Sequence, residues 1–285
     1  MSHIPGIILN KHFAGTLKLS SLILSPILPF RGIEIPKKFA NRSFSTPVKD
    51  QGNEGSCVGF GACSSFELIT RIKYNPDPEH PEIKANDRSD RDCYQKAKTH
   101  DEWEGDDYEG SSITGGVLGM ADEGICHERL WPYVAQNKGE PLPRAQEDAY
   151  IHKIKNYWQL VMRQELNHLR VIKNNPINPQ NLKLPPLASE VLQQIKEAIF
   201  TKGCVDGGTL VHEGWRWVGT DGIIPFNPLY RILGGHAICY LGYDDDTKLF
   251  LFKNSWGADW GNAGYGYQCY DDVAAYLIEA FTLEI

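Results

Sequence analysis

Thr46-Pro47-Val48-Lys49-Asp50-Gln51-Gly52-Asn53-Glu54-Gly55-Ser56-Cys57 is the stretch on which the reading of this chain turns. Its second half, Gln51 to Ser56, is a polar, glycine-bearing loop. Immediately afterwards Phe60, Cys63, Phe66, Ile69 and Ile72 recur at helical spacing, and Asn75-Pro76 marks the stop. The pattern predicts a buried helix starting at or just after Ser56, with Ser56 as its cap. Gly59 and Gly61 sit inside it although each costs about 1 kcal/mol against alanine, which implies the close approach of another backbone. Cys57 therefore stands at a helix N-terminus, where peptide N–H groups and the helix dipole favour a thiolate, the nucleophilic form of cysteine. Gln51, six positions earlier, places an amide donor beside the Cys57 N–H, and the two together suit an oxyanion.

A nucleophile of this kind needs a base. His236 follows Gly234-Gly235 at the head of a strand-like run, His236 to Tyr243, and a second run spans Lys248 to Lys253. Asp244-Asp245-Asp246-Thr247 forms the turn, so the two runs read as an antiparallel hairpin. Asn254 ends the second strand, where its amide oxygen can accept one ring N–H of His236 and fix the tautomer. Trp256 and Trp260 are placed to shield that bond from water. Cys57, His236 and Asn254 then make a nucleophile, a base and an orienter.

The rest of the sequence limits the alternatives. The chain has 285 residues, a net charge of −7, 41% hydrophobic and 23% charged residues. That is enough for one large or two smaller folded units with a sizeable core. The mild acidity gives no general pull toward nucleic acid or an anionic membrane. No apolar run approaches the roughly 20 residues of a bilayer span, and Leu17 to Phe30 lacks the compact core of a signal peptide. The seven cysteines are widely spaced, without a CxxC pair, so reduced thiols are expected and neither a zinc ribbon nor a disulfide scaffold is supported. For any single cysteine other than Cys57, a buried inert thiol is the ordinary reading. Trp103, Trp131, Trp158, Trp215 and Trp217 read as packing residues. The remaining histidines read as mostly surface or loop groups. The acidic run Asp101 to Glu109 reads as a solvated loop; it lacks the ligand spacing of an EF-hand.

Along the chain, residues 1–30 form an arm, 75–112 read as polar and turn-rich, and Gly116 to Glu123 reads as a short helix. Residues 134–190 are heterogeneous, with a strand or helix around Ile151 to Leu169. Val191 to Phe200 has helical spacing, and Tyr265 to Tyr270 reads as a strand. Helices first and strands later give an α+β protein with two lobes.

The opening stretch resembles the active-site segment of papain-like cysteine peptidases (peptidase family C1). Gly235-His236-Ala237 resembles that family's histidine segment. Lys253-Asn254-Ser255-Trp256-Gly257, with Trp260-Gly261 and Gly264-Tyr265, resembles its asparagine segment. The resemblance covers roughly residues 29–285. It implies a helical left lobe mainly over 50–133 and an antiparallel β-barrel-like right lobe mainly over 190–285. The cleft lies between them, an insertion falls within 134–190, and residues 1–30 are an arm or short pro-segment. It also implies hydrolysis of peptide or protein substrates through an acyl-enzyme, without metal or organic cofactor. Ser111 to Gly116 resembles the family's substrate-pairing strip, which carries Gly115 and Gly116 over as substrate-binding residues alongside Trp256 and Trp260.

The departures are specific. Glu54 replaces the first cysteine of the Cys-Gly-Ser/Ala-Cys signature, removing a disulfide, and Val58 replaces its aromatic residue. Cys57 and His236 stand 179 positions apart (236 − 57), against about 130–150 in the signature. The resemblance is to a prokaryotic-type, disulfide-free branch, cytoplasmic or exported without a cleavable signal peptide. The same triad also serves acyl transfer in a deamidase, transglutaminase-like enzyme or ligase, and a silent binding module is the non-enzymatic alternative. Oligomeric state is not legible in the sequence.

Overall fold

The computed structural model describes residues 32–74, 87–101, 108–163 and 184–285. The arm at 1–30, most of the acidic run after Asp101 and the proline- and asparagine-rich part of 134–190 lie outside them. The helices are α1 (Cys57–Tyr74), α2 (Asp90–His100), α3 (Ile113–Asp122), α4 (Ala145–Tyr150), α5 (Ser189–Lys202) and α6 (Tyr270–Tyr276). The strands are β1 (Lys38–Ala40), β2 (Asn156–Met162), β3 (Val205–His212), β4 (Ile232–Asp244), β5 (Leu249–Lys253), β6 (Tyr265–Cys269) and β7 (Leu277–Glu284).

Helix α1 starts at Cys57 and runs to Tyr74, the last described residue of this segment, with Arg71 and Lys73 in its last described turn. It is buried along most of its length because it packs on two sides. A Cβ on Gly59 would lie 2.4 Å from the Asp90 carbonyl at the head of α2, and one on Gly61 would lie 3.3 Å from Ala237 Cβ in β4. The two glycines thus let α1 press against a helix on one side and the sheet on the other.

Helix α2 departs from the sequence reading, which found this stretch polar and turn-rich. Its side chains are polar yet buried, because the charges are paired internally. Lys96 Nζ donates to Asp92 Oδ2 at 2.9 Å and to the Gly124 carbonyl at 2.9 Å. The start was nevertheless signalled: Ser89 Oγ caps the helix by accepting from the Asp92 N–H at 2.9 Å.

The strands form one antiparallel sheet in the order β2-β7-β3-β4-β5-β6, with β1 added beside β4. The β4–β5 hairpin pairs Cys239 with Lys253 and Tyr243 with Phe250. The two ends of this order are not joined, so among the described residues the β-rich lobe is an open sheet rather than the closed barrel expected. Strand β2 falls within 134–190 and pairs with β7 at the edge, so that stretch contributes directly to the sheet. One core, including Val58, Phe66, Leu68, Ile113, Met120, Leu241 and Phe281, lies between the helices and the sheet. A second, including Ile195, Ile199, Tyr240, Phe250, Phe252 and Trp215, lies between α5 and the other face. Each large side chain so buried contributes about 1.5–3 kcal/mol. No described helix is long and apolar enough to cross a membrane.

Candidate active site

Cys57 opens α1 and is fully buried. The first turn closes when the Gly59 N–H donates to the Ser56 carbonyl at 2.9 Å. The Ser56 hydroxyl, expected as a cap, instead meets the Tyr133 hydroxyl at 2.7 Å. Tyr133 also donates to the Gln51 carbonyl at 2.8 Å, so it ties together the two ends of the loop before Cys57.

Glu54 holds that loop from the inside. Its carboxylate forms a bidentate pair with Arg91 of α2, Nη1 to Oε1 at 2.6 Å and Nη2 to Oε2 at 2.7 Å. The Gln136 N–H adds a bond to Oε2 at 2.7 Å, and the Arg91 guanidinium lies 4.6 Å from the centre of the Tyr133 ring. Burial opposes ionisation of Glu54, but the bonds from Arg91 and Gln136 prevail and hold its pKa below the ordinary 4.5. Where the resemblance removes a disulfide, the chain places a buried ion pair between the loop and α2. All seven cysteines are free thiols.

Gln51 is buried and links the loop to the segment after β5. Its Oε1 accepts from Ser255 Oγ at 2.6 Å, its N–H donates to the Ser255 carbonyl at 2.9 Å, and its Nε2 donates one proton to the Glu54 carbonyl at 2.9 Å. A primary amide has a second N–H on the same nitrogen.

His236 lies in β4 opposite Thr209, and Asn254 follows the last residue of β5. The hairpin brings them together: His236 Nε2 is 2.7 Å from Asn254 Oδ1. Asn254 Oδ1 also accepts from the Ser255 N–H at 2.8 Å, which identifies that atom as the oxygen and His236 Nε2 as the donor. Nδ1 is then the nitrogen left to exchange a proton. Both residues are buried. The Trp256 ring lies against His236, with centroids 4.5 Å apart and planes inclined by 31°. Trp260 meets Trp256 edge-on at 5.4 Å. Trp215, which the sequence marked only as a packing residue, meets His236 edge-on at 6.0 Å and stacks on Trp260 at 6.1 Å. Three tryptophan rings thus cluster around the His236–Asn254 bond. Gly61, one turn beyond Cys57, abuts Ala237, the neighbour of His236.

Two expectations change. Gly115 and Gly116 are in the first turn of α3 rather than in an exposed strip. The Gly115 N–H donates to Ser112 Oγ at 3.0 Å and the Gly116 N–H to the Ser112 carbonyl at 3.1 Å, so neither is available to pair with a substrate backbone. Both are buried, and a Cβ on Gly115 would lie 2.5 Å from the Ala97 carbonyl; the glycines are there to seat α3 on α2. The extended residues lie just before, ending at Ser112 with φ −104° and ψ 154°. His212 is not a surface residue: it is fully buried in β3, with Nε2 3.1 Å from Asp272 Oδ2.

Beneath the site lies a group that sequence reasoning missed. Asp206 of β3 is fully buried, and neither carboxylate oxygen has a hydrogen-bond partner among the described residues. Burial, with Cys239 and Glu279 nearby, pushes its pKa well above the carboxylate range.

Comparison with known proteins places this geometry. The sequence profile of the papain family cysteine protease matches residues 35–281. The chain is 25% identical over 272 residues to the uncharacterized peptidase C1-like protein L477 of Acanthamoeba polyphaga mimivirus, covering 93% of this chain and 77% of the viral protein. It is 26% identical over 223 residues to ananain of Ananas comosus, covering 77% of this chain and 51% of ananain. Among solved structures it is similar to xylellain, a cysteine protease from Xylella fastidiosa. The TM-score is 0.68 and the identity 21%, with 100% of this chain and 97% of that chain covered. Bromelain protease of Ananas comosus, solved with the E64 inhibitor, gives a TM-score of 0.57 at 17% identity, covering 88% of this chain and 100% of that one. The chain thus spans about half the length of ananain and about three quarters of the viral relative.

Proposed function

Because the chain belongs to the papain family of cysteine proteases, we propose that it hydrolyses peptide bonds of peptide or protein substrates through Cys57, His236 and Asn254. The observation that carries this reading is the buried His236–Asn254 bond at 2.7 Å, surrounded by tryptophans, with His236 on the strand that abuts α1.

In this reading the Cys57 proton resides on His236 Nδ1, giving a thiolate and an imidazolium. The helix terminus stabilises the first, and Asn254 stabilises the second through Nε2–H. The thiolate attacks the scissile carbonyl, and its electron pair forms the C–S bond while the carbonyl oxygen becomes an oxyanion. The second N–H of Gln51 Nε2 and the Cys57 N–H receive that charge, each worth roughly 3 kcal/mol in the transition state. Collapse breaks the C–N bond, and the imidazolium protonates the departing amine. Neutral His236 then takes a proton from water as it attacks the thioester, releasing the acid and restoring the pair. Trp256, Trp260 and Trp215 serve to keep water off the His236–Asn254 bond. The substrate backbone pairs with Ser111 and Ser112, just ahead of α3, rather than with Gly115 and Gly116. The seven reduced thiols suit a reducing compartment, or export by a route that needs no cleavable signal peptide.

The test is turnover of a peptide library by the full chain and by Cys57→Ala. Hydrolysis, seen as two fragments that together gain one water, is expected only from the chain with Cys57. Equal hydrolysis by Cys57→Ala refutes the reading, and conjugation of fragments to an amine in place of water redirects it to acyl transfer.

A further inference from the structure

Away from the Cys57 loop, two histidines and an aspartate converge where the turn after α3 meets the end of α4. Asp148 lies in α4, and His152 follows the helix C-cap, where its N–H donates to the Ala149 carbonyl at 2.8 Å and turns it back toward Asp148. His127 reaches them from the turn Gly124–Glu128. Asp148 Oδ2 lies 2.9 Å from His127 Nδ1 and 3.6 Å from His152 Nδ1, and the imidazole centroids are 4.9 Å apart with planes at 88°. The three residues offer one ligand atom each, all within 4.8 Å of one another. Ligands bound tetrahedrally at zinc distances of about 2.0–2.1 Å lie roughly 3.3 Å apart, midway between the two observed separations.

The cluster is also held in place. The His127 N–H donates to Asp148 Oδ2 at 2.8 Å, the Ile125 N–H to the His152 carbonyl at 3.2 Å, and the Ser89 N–H to the Cys126 carbonyl at 2.9 Å. The side chains of His127, Asp148 and His152 are 20%, 15% and 21% exposed, so an ion can enter and retain water.

We propose that His127, Asp148 and His152 bind a borderline divalent transition-metal ion, zinc in the first instance, with water completing a four-coordinate site. Two imidazoles and one carboxylate select zinc, cobalt or nickel over magnesium or calcium, which take oxygen ligands. Binding breaks the His127–Asp148 hydrogen bond and the bond from His152 Nδ1 to the Asp148 carbonyl, now 2.6 Å. Each ring proton moves to Nε2, so the imidazoles remain neutral. The positive charge of Arg88, near His152, opposes the ion. The metal clips the turn at His127 to α4 and so fastens the segment leading to Tyr133, which braces the loop before Cys57.

The experiment uses the full chain carrying Cys57→Ala, which removes the thiol that would otherwise compete for zinc. Zinc chloride is titrated calorimetrically, cobalt(II) is followed by its visible absorption, and the thermal midpoint is recorded with and without zinc. The expected result is one ion per chain, a tetrahedral cobalt spectrum and a raised midpoint. Adding His127→Gln and His152→Asn should weaken binding by about 100-fold or more and abolish the midpoint rise. No zinc uptake by the folded Cys57→Ala chain overturns the proposal by itself. Undiminished binding in the triple variant overturns it too, placing the ion elsewhere.

Discussion

Replacing Glu54 by alanine should both destabilise the chain and loosen its nucleophile loop. The Glu54 carboxylate is 10% exposed and Arg91 1% exposed, so the substitution leaves a guanidinium buried without its counter-charge. Removing one partner from such a pair costs about 3–5 kcal/mol. Among the described residues Arg91 retains its bond to the Val134 carbonyl, at 2.7 Å, and the Gln136 N–H loses its acceptor. Against a total stability of roughly 5–15 kcal/mol this is a large fraction. It corresponds to a midpoint lowered by about 6–20 °C in thermal unfolding. The pH dependence supplies a second signature. The Glu54 pKa is depressed in the folded chain, so the stabilisation is complete above the unfolded carboxylate range. It is lost as pH falls through the folded value. The gap between wild type and Glu54→Ala, measured by urea unfolding, should therefore be full at pH 6–7 (a range above the carboxylate pKa of about 4.3) and should close in acid. Arg91→Met and the double variant complete a cycle. The double variant should be less destabilised than the sum of the singles, with a coupling of about 1.5–3 kcal/mol. A loss under about 1 kcal/mol, or strict additivity, would show that the pair does not hold the loop.

Asn254→Ala removes the acceptor for the His236 ring, a charge-assisted bond worth about 1.5–3 kcal/mol, so kcat/KM for peptide hydrolysis should fall roughly 10- to 150-fold with little change in the far-ultraviolet spectrum. Gly115→Ala should lower stability by about 1–3 kcal/mol in urea unfolding while leaving KM unchanged, because the added methyl meets the Ala97 carbonyl and not a substrate; a raised KM at unchanged stability would return Gly115 to the substrate strip. Asp206 binds its proton more tightly folded than unfolded, so its contribution is full below the unfolded carboxylate pKa and declines as pH rises toward the folded value. Asp206→Asn should therefore gain on wild type as pH rises, by up to about 1.4 kcal/mol per pH unit; a pH-independent difference would rule out a buried neutral acid.

The start of α1, the β4–β5 hairpin and α5 were legible because each has a strong period or a clear boundary signal. The positions of Cys57 at a helix start and Asn254 just after a strand were legible from local signals, whereas His236, expected at the head of its strand, is the fifth residue of β4, because the Gly234-Gly235 pair read as a break is itself in the ladder. Helix α2 was not, because composition cannot tell a solvated polar stretch from one whose charges pair internally, although Ser89 ahead of Asp90 and Asp92 was a usable capping signal. Strand β7 was missed because it is buried on both faces and shows no alternation. Glu54 was read as the loss of a disulfide; that it gains Arg91 depends on a residue 37 positions away. The glycines at 115–116 were misplaced because a Gly-Gly pair looks alike in an extended strip and in a close helix–helix contact. Asp206 lay unnoticed in a strand that periodicity had not identified.

The central claim is that Cys57, alone among the seven thiols, is an activated nucleophile served by His236. Intact mass and peptide mapping after exposure to an epoxysuccinyl thiol-peptidase inhibitor test it most directly, on the full chain, on Cys57→Ala and on His236→Ala. The account predicts a single adduct on Cys57 at neutral pH, none in Cys57→Ala, and much slower labelling in His236→Ala. Labelling of Cys269 in preference to Cys57, or labelling of Cys57 at the same rate without His236, would contradict it.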